Sequence, residues 1–536
     1  MSPLQRFVSL LQLDKRDIKQ IFYYAVFAGL VALSLPLGIQ AIINLIQGVQ
    51  ISSSWIVLVA LVTLGVGFQG ALQLMQLRIL ENIQQKIFAR ASFEFVYRFP
   101  KIKMSELDKD YPPELANRFF DTLTVQKGLP KVLIDFPAAS VQIVFGIALL
   151  SFYHPFFILY GLLLVLLIYS VFKFTAKKGL ETSLAESKNK YKVAHWIQEI
   201  TRSLVSFKLS GKTSLAMRRN DALTKNYLDA RESHFKVLVV QFIQMVGFKI
   251  LVTAGLLIIG GLLVLNQQMN IGQFVAAEII ILLVINSVEK LIGGLETFYD
   301  ILTSLEKIGQ VVDMELEDME GADPFKSINP IQAELEEIDY TTPDGKEVLK
   351  NINLTIAHKD RILLQGASGS GKTTLLKLLS GIVSPTSGAL YINDTSIKGI
   401  SPNVYRSHVG QVLPEQHPFE GTILENITFG NPSISAERVN EVLKQIGLIN
   451  FVKKQTEGLN TVLYAQGQHI PYTISKRIIL ARAIVHEPRL LFLKDPLEHF
   501  ETSEARDIVN YLTDESHPWA IVVASGNPIW KNKCAH

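Results

Sequence analysis

At 536 residues the chain is too long for one ordinary domain, so at least two are expected. A hydrophobic share of 48% against 19% charged residues is too apolar for an ordinary soluble protein and points to membrane spans. The net charge of +3 gives no argument for a nucleic-acid partner, and the single cysteine, Cys534, excludes a disulfide framework or a cysteine-based metal site within one chain.

Crossing a bilayer takes about 20 apolar residues. Six runs reach that length: about Ile21–Ile46, Trp55–Met75, Leu133–Phe152, Pro155–Phe174, Val237–Leu265 and Phe274–Leu295. The charges between them alternate. Lys15, Arg16 and Lys19 precede the first run, and the connection Gly48–Ser54 carries no charge. The segment from Arg78 to Lys131 is rich in basic residues, and Tyr153-His154 has no Lys or Arg. Lys173 to Lys236 is basic again, and Asn266–Asn270 is neutral. The positive-inside rule then puts both termini and both long connections in the cytosol of a plasma (inner) membrane protein, with the lipid membrane as its surroundings. No cleavable signal peptide is expected, because the first run is long and lacks a small-residue cleavage site. Nor is an N-terminal peptidase domain, since that run starts near Ile21.

The two long connections are rich in Lys, Glu, Gln and Leu and poor in Pro and Gly, which predicts helices continuing beyond the membrane. Glu278 and Lys249 fall inside apolar runs; a structural ion pair or a place near an interface explains such residues more simply than substrate contact. Gln241 and Gln244, three residues apart, would share one interior helix face. The resulting organisation is a polytopic α-helical membrane domain (1–312), a charged linker (313–333) and an α/β domain (334–536).

The α/β domain carries Gly366-Ala367-Ser368-Gly369-Ser370-Gly371-Lys372-Thr373, which fits G-x-x-x-x-G-K-[ST] at every fixed position. Glycines let the backbone curl so that N–H groups point at phosphate oxygens, Lys372 reaches the β/γ-phosphates, and Thr373 is the hydroxyl placed for Mg²⁺. Arg361–Gln365 reads as the preceding buried strand. The helix starting at Thr374 would turn its N-terminus to the phosphates.

In this order the chain resembles an ABC exporter half-transporter, six spans followed by one nucleotide-binding domain of P-loop NTPase type. Several stretches carry the resemblance: Val348–Leu354 before the P-loop, Phe419–Ile427, Leu480–Ile484 with Pro488, and Pro113–Arg118, which is similar to a coupling helix. The resemblance implies ATP as ligand, a second half-transporter as partner (identical or different), and an exported cargo. The membrane part most resembles bacterial peptide or protein exporters of the type I secretion kind.

Set onto those anchors, the family's catalytic positions are altered. The Q-loop glutamine falls on Pro414, with Gln411 and Gln416 near, and the signature falls on Ile470-Pro471-Tyr472-Thr473-Ile474. The metal-binding aspartate of Walker B falls on Lys494, the catalytic glutamate on Asp495, and the switch histidine on Ser525. The adenine-stacking aromatic falls on Thr342, with Tyr340 two residues away as a stand-in. An ammonium about 4 Å from a divalent cation repels it by roughly 8 kcal/mol at an effective dielectric near 20, before relaxation. Lys494 must swing away, pair with Asp495, or replace the metal as counter-charge, so Mg²⁺ is left without support. Two function classes stay open: an ATP-driven exporter, and a non-hydrolysing nucleotide-binding or structural subunit.

Overall fold

The computed structural model describes every residue except 48–52, 109, 327–329 and 535–536. The expected neutral connection at 48–52 therefore lies outside the described residues. The chain divides into two compact units, Met1–Lys101 with Asp110–Met314, and Ile102–Lys109 with Glu315–His536.

Six helices long and apolar enough to cross a membrane are found in the first unit among the described residues, and each expected run lies in one of them. We label the helices used below α1 (Lys15–Gln47), α2 (Ser53–Arg98), α3 (Pro112–Asn117), α4 (Asp121–Pro130), α5 (Phe136–Tyr153), α6 (Phe156–Arg202), α7 (Leu215–Gly255) and α8 (Ile271–Val312). The 47 residues of α6 span about 70 Å, more than twice a hydrocarbon core of about 30 Å. The apolar half of each long helix thus continues into a polar half. Polar contacts tie these polar halves together. Arg90 of α2 forks onto Asp14, just ahead of α1, at 2.6 and 2.9 Å. Asp14 is buried, and the guanidinium holds its carboxyl below the usual carboxylate range. The Tyr191 hydroxyl of α6 donates to buried Asp121 of α4.

Within the apolar halves, Lys249 of α7 pairs with Glu289 of α8 at 3.8 Å. Glu278, three turns before Glu289 on nearly the same face of α8, takes no part in an ion pair among the described residues. Gln241 is buried and donates to Thr175 at 2.8 Å and Tyr299 at 3.1 Å, while the Gln244 carbonyl oxygen is buried without a partner. A cavity of about 500 Å³ lies among α1, α2, α5 and α8, with Gln69, Gln142, Asn286, Glu289 and Lys290 in its wall.

The second unit holds two main sheets. Strands β1 (Ala333–Thr341), β2 (Glu347–Ile356), β4 (Ser387–Ile392) and β5 (Thr395–Ser396) form an antiparallel sheet in the order β2-β1-β4-β5. Strands β3 (Arg361–Leu364), β6 (Val409–Val412), β9 (Leu490–Lys494) and β10 (Ala520–Ala524) form a parallel sheet in the order β3-β10-β9-β6; β7 (Gly421–Thr422) and β8 (Val462–Leu463) pair separately. Helices α9 (Lys372–Leu379), α10 (Tyr472–Ile484) and α11 (Thr502–Leu512) cover the parallel sheet. Strand alternation splits its two faces between two cores. Leu490, Phe492, Val522 and Ala524 pack with Leu375, Leu376 and Leu379 of α9. Leu491, Leu493, Ile521 and Val523 pack with residues of α10 and α11. Most of the segment read as a linker falls within this second unit. So does the stretch from Ile102, through a bridge between Ile102 and Leu316 and a Lys103–Glu315 ion pair of 2.5 Å.

Candidate nucleotide site

The P-loop connects the C-terminal end of β3 to the N-terminus of α9. Gly371, the cap of that helix, sits at φ +85°, and a Cβ there would lie 2.8 Å from Leu349 and 2.9 Å from the Val348 carbonyl. Only glycine satisfies both the left-handed backbone and the close approach of β2. Gly366, Ala367, Ser368, Gly369 and Ser370 are exposed, and Thr373 and Thr374 form the half-buried first turn of α9. The Lys372 ammonium lies within the loop. It donates to the carbonyls of Gly366 at 2.8 Å and Ala367 at 2.7 Å and to the Ser370 hydroxyl at 3.1 Å. The structure therefore brings the nine expected loop residues, 366 to 374, to one end of the parallel sheet. Ligands of open α/β sheets bind at that carboxyl end.

Lys494 is the last residue of β9. It stands level with Ala524 of β10, which stands level with Leu364 of β3. Its side chain is 20% exposed and bonds its neighbour Asp495, one of the three outcomes open on sequence grounds. Asp495 sits at φ +41°, and its N–H donates to the Ala524 carbonyl at 3.0 Å. Mg²⁺ does not fit this donor set. The P-loop motif places one hydroxyl for the metal, Thr373, and in place of the expected carboxylate the end of β9 presents an ammonium bonded to its neighbour Asp495. No group of three or more His, Cys, Asp or Glu able to hold a metal occurs among the described residues.

The other residues singled out in the sequence have the following surroundings. The Gln416 side chain accepts from the Leu413 N–H at 3.0 Å, and the Ser525 hydroxyl from the Asn527 N–H at 3.2 Å. Gln411 on β6 keeps a buried carbonyl oxygen without a partner. Tyr472, at the start of α10, donates to Glu498 at 2.8 Å and stacks edge-on against His499. Tyr340 lies in the wall of a cavity of about 570 Å³, beside Asp108, Leu378, Ile382 and Pro385, residues at the C-terminal end of α9 rather than at its phosphate-facing end. Sequence reading missed Glu289 and the 102–108 stretch. The signal for Glu289 was present, since an acidic residue near the end of an apolar run is the natural partner for Lys249.

Residues 349–498 match the ABC transporter family and residues 21–288 the ABC transporter transmembrane region. The chain is 32% identical over 260 residues to the alpha-hemolysin translocation ATP-binding protein HlyB of Escherichia coli O157:H7, covering 48% of this chain but only 36% of that protein. It is 24% identical over 441 residues to a putative export ATP-binding/permease protein of Rickettsia bellii, covering 81% and 76% of the two. A solved bacterial Atm1-family ABC exporter with ATP bound superimposes with a TM-score of 0.83 at 15% identity, over 96% of this chain and 91% of that one. Two matched regions, in the order transmembrane region then ATP-binding region, on six apolar helices and a P-loop sheet, make this chain a member of the ABC transporter family with the architecture of an exporter half-transporter.

Proposed function

We propose that the chain is an exporter-type transport subunit. It binds ATP at Gly366–Thr374, works as a dimer with an identical or different half-transporter, and keeps both termini cytosolic. The complete P-loop, with Lys372 held among three acceptors, supports nucleotide binding. The Lys494–Asp495 pair supports weak hydrolysis. Phosphoryl transfer needs charge between the β- and γ-oxygens neutralised and a carboxylate free to position water, and here the one carboxylate is short and bonded to a lysine. The polar cavity among α1, α2, α5 and α8 supports a cargo path, and the names of the toxin-translocating relatives make polypeptide the first cargo class to test. A non-hydrolysing or structural subunit is the second reading, favoured by the same ion pair.

ATPase measurement on the purified protein, free of contaminating ATPases, tests the first part. The expected rate is far below a few per second and gains little from Mg²⁺. A combined Lys494→Asp, Asp495→Glu and Ser525→His change raises it more than any single change, because such residues act as a unit. Turnover of a few per second with clear Mg²⁺ dependence in the unaltered protein would show that Asp495 and Lys494 do not occupy the catalytic positions given to them here.

A further inference from the structure

We infer that this site takes ATP free of metal, with the Lys494 ammonium at the phosphates where a divalent cation would otherwise stand. The inference rests on the nucleotide reading of the P-loop and adds the ionic form of the ligand. Strand parity places Lys494 on the correct face. Leu490 and Phe492 of β9 pack in the core that contains α9, whereas Leu491 and Leu493 pack in the opposite one. Lys494, two residues beyond Phe492, therefore projects toward the side of the sheet that carries the P-loop helix. Register places it at the correct height. Lys494, Ala524 and Leu364 form one row at the carboxyl edge, and the P-loop starts two residues past Leu364. Only β10 intervenes, so the Lys494 and Leu364 backbones are about 10 Å apart, within reach of a lysine stem and a bound phosphate.

The charges favour the uncomplexed ligand. Lys372 and Lys494 provide two ammonium groups at one end of the sheet, together with the N–H groups opening α9. Free ATP carries two more negative charges than its Mg²⁺ complex, and those are the charges a second lysine can meet. Asp495 pairs with Lys494, which accounts for a mostly buried ammonium at the end of a strand. The arriving triphosphate exchanges with Asp495 as its partner. No covalent change is involved.

Equilibrium titration of the full-length protein in nanodiscs with N-methylanthraniloyl-ATP, in EDTA and in Mg²⁺, tests the assignment. Wild type is expected to bind at least as tightly in EDTA as in Mg²⁺. Lys494→Ala is expected to lose at least ten-fold in EDTA, Lys494→Arg to retain binding, and Asp495→Asn to bind free nucleotide more tightly because the lysine is released. Thermal unfolding verifies that each variant is folded. Wild-type affinity ten-fold higher in Mg²⁺ than in EDTA overturns the inference and leaves the nucleotide site standing. Unchanged affinity of folded Lys494→Ala in EDTA does the same. No binding by folded wild type in either condition overturns the nucleotide reading itself, and this inference with it.

Discussion

Replacing Lys372 by alanine removes the one side-chain charge that the P-loop itself places among its carbonyl oxygens. A unit charge about 4 Å from one phosphate charge contributes roughly 4 kcal/mol at an effective dielectric near 20. That ammonium also has partners within the protein, in contacts of 2.8, 2.7 and 3.1 Å to Gly366, Ala367 and Ser370. Binding surrenders part of this network, and hydrogen bonds to a charged group are worth about 1.5–3 kcal/mol each at most. The net loss is therefore well below the gross Coulomb figure, about 2 kcal/mol, or roughly thirty-fold in Kd. Titration of Lys372→Ala with a fluorescent ATP analogue reads the change, and Lys372→Arg should fall between the two. Thermal unfolding without nucleotide should differ little, since the loop is exposed. Equal affinity for wild type and folded Lys372→Ala would mean that the loop is a structural turn that holds nothing.

Two further outcomes follow from the first unit. An Ile51→Cys variant, with Cys534 replaced, should react with a membrane-impermeant thiol reagent from outside, and a cysteine at position 190 should not; the reverse pattern refutes the orientation read from the basic and neutral connections. Arg90→Ala should lower the unfolding midpoint by an amount corresponding to about 1–2 kcal/mol. That is less than a fully buried pair would give, because Arg90 is 42% exposed. The pH sign is fixed by Asp14, whose folded pKa lies below its unfolded value. The stability it lends is complete above the unfolded carboxylate pKa and is lost as pH falls through the folded one. The wild-type advantage over Arg90→Ala should therefore be larger at pH 7 than near pH 3.5, and a pH-independent gap would show that the pair contributes only packing.

The parts legible in the sequence are those whose signal is local. Apolar runs longer than a bilayer, charges alternating between them, and a P-loop with fixed spacing each lie within a few dozen residues. The six helices and the loop at the end of β3 follow from them. What was not legible depends on which faces meet across long separations. Lys249 and Glu278 both stand out as charges in apolar runs, yet the partner of Lys249 is Glu289, which lies on nearly the same face of α8 as Glu278 but three turns further along it. Gln241 and Gln244 share a face as their spacing requires, but only Gln241 meets donors and acceptors, supplied by Thr175 of α6 and Tyr299 of α8. Tyr340 is two residues from the expected adenine contact and lies in the wall of the cavity that Leu378, Ile382 and Pro385 also line. Nothing in the composition of 102–108 indicates that Lys103 meets Glu315, 212 positions away.

The substitutions at the sheet edge are coherent when taken together. A lysine at the end of β9 is costly in a site built around a divalent cation and inexpensive in one that holds none, because the cation is what it repels. Binding a triphosphate requires only positive charge and donors, and Lys372, Lys494 and the first turn of α9 supply both. Hydrolysis requires in addition a free carboxylate and a second polar group at the attacking water. Asp495 is bonded to Lys494, and Ser525 accepts from the Asn527 N–H and has no ring nitrogen to reach the water as a histidine would. The stretch a partner's nucleotide would meet follows the same logic. Pro471 has no N–H to offer, and Tyr472 is tethered to Glu498, so close backbone donation is replaced by side-chain bulk. On the proposed reading, one domain keeps the groups that hold charge and lacks, on both of its faces, the groups that move it. On that reading, nucleotide occupancy rather than turnover is the signal the domain carries, and the ATPase measurement above decides it.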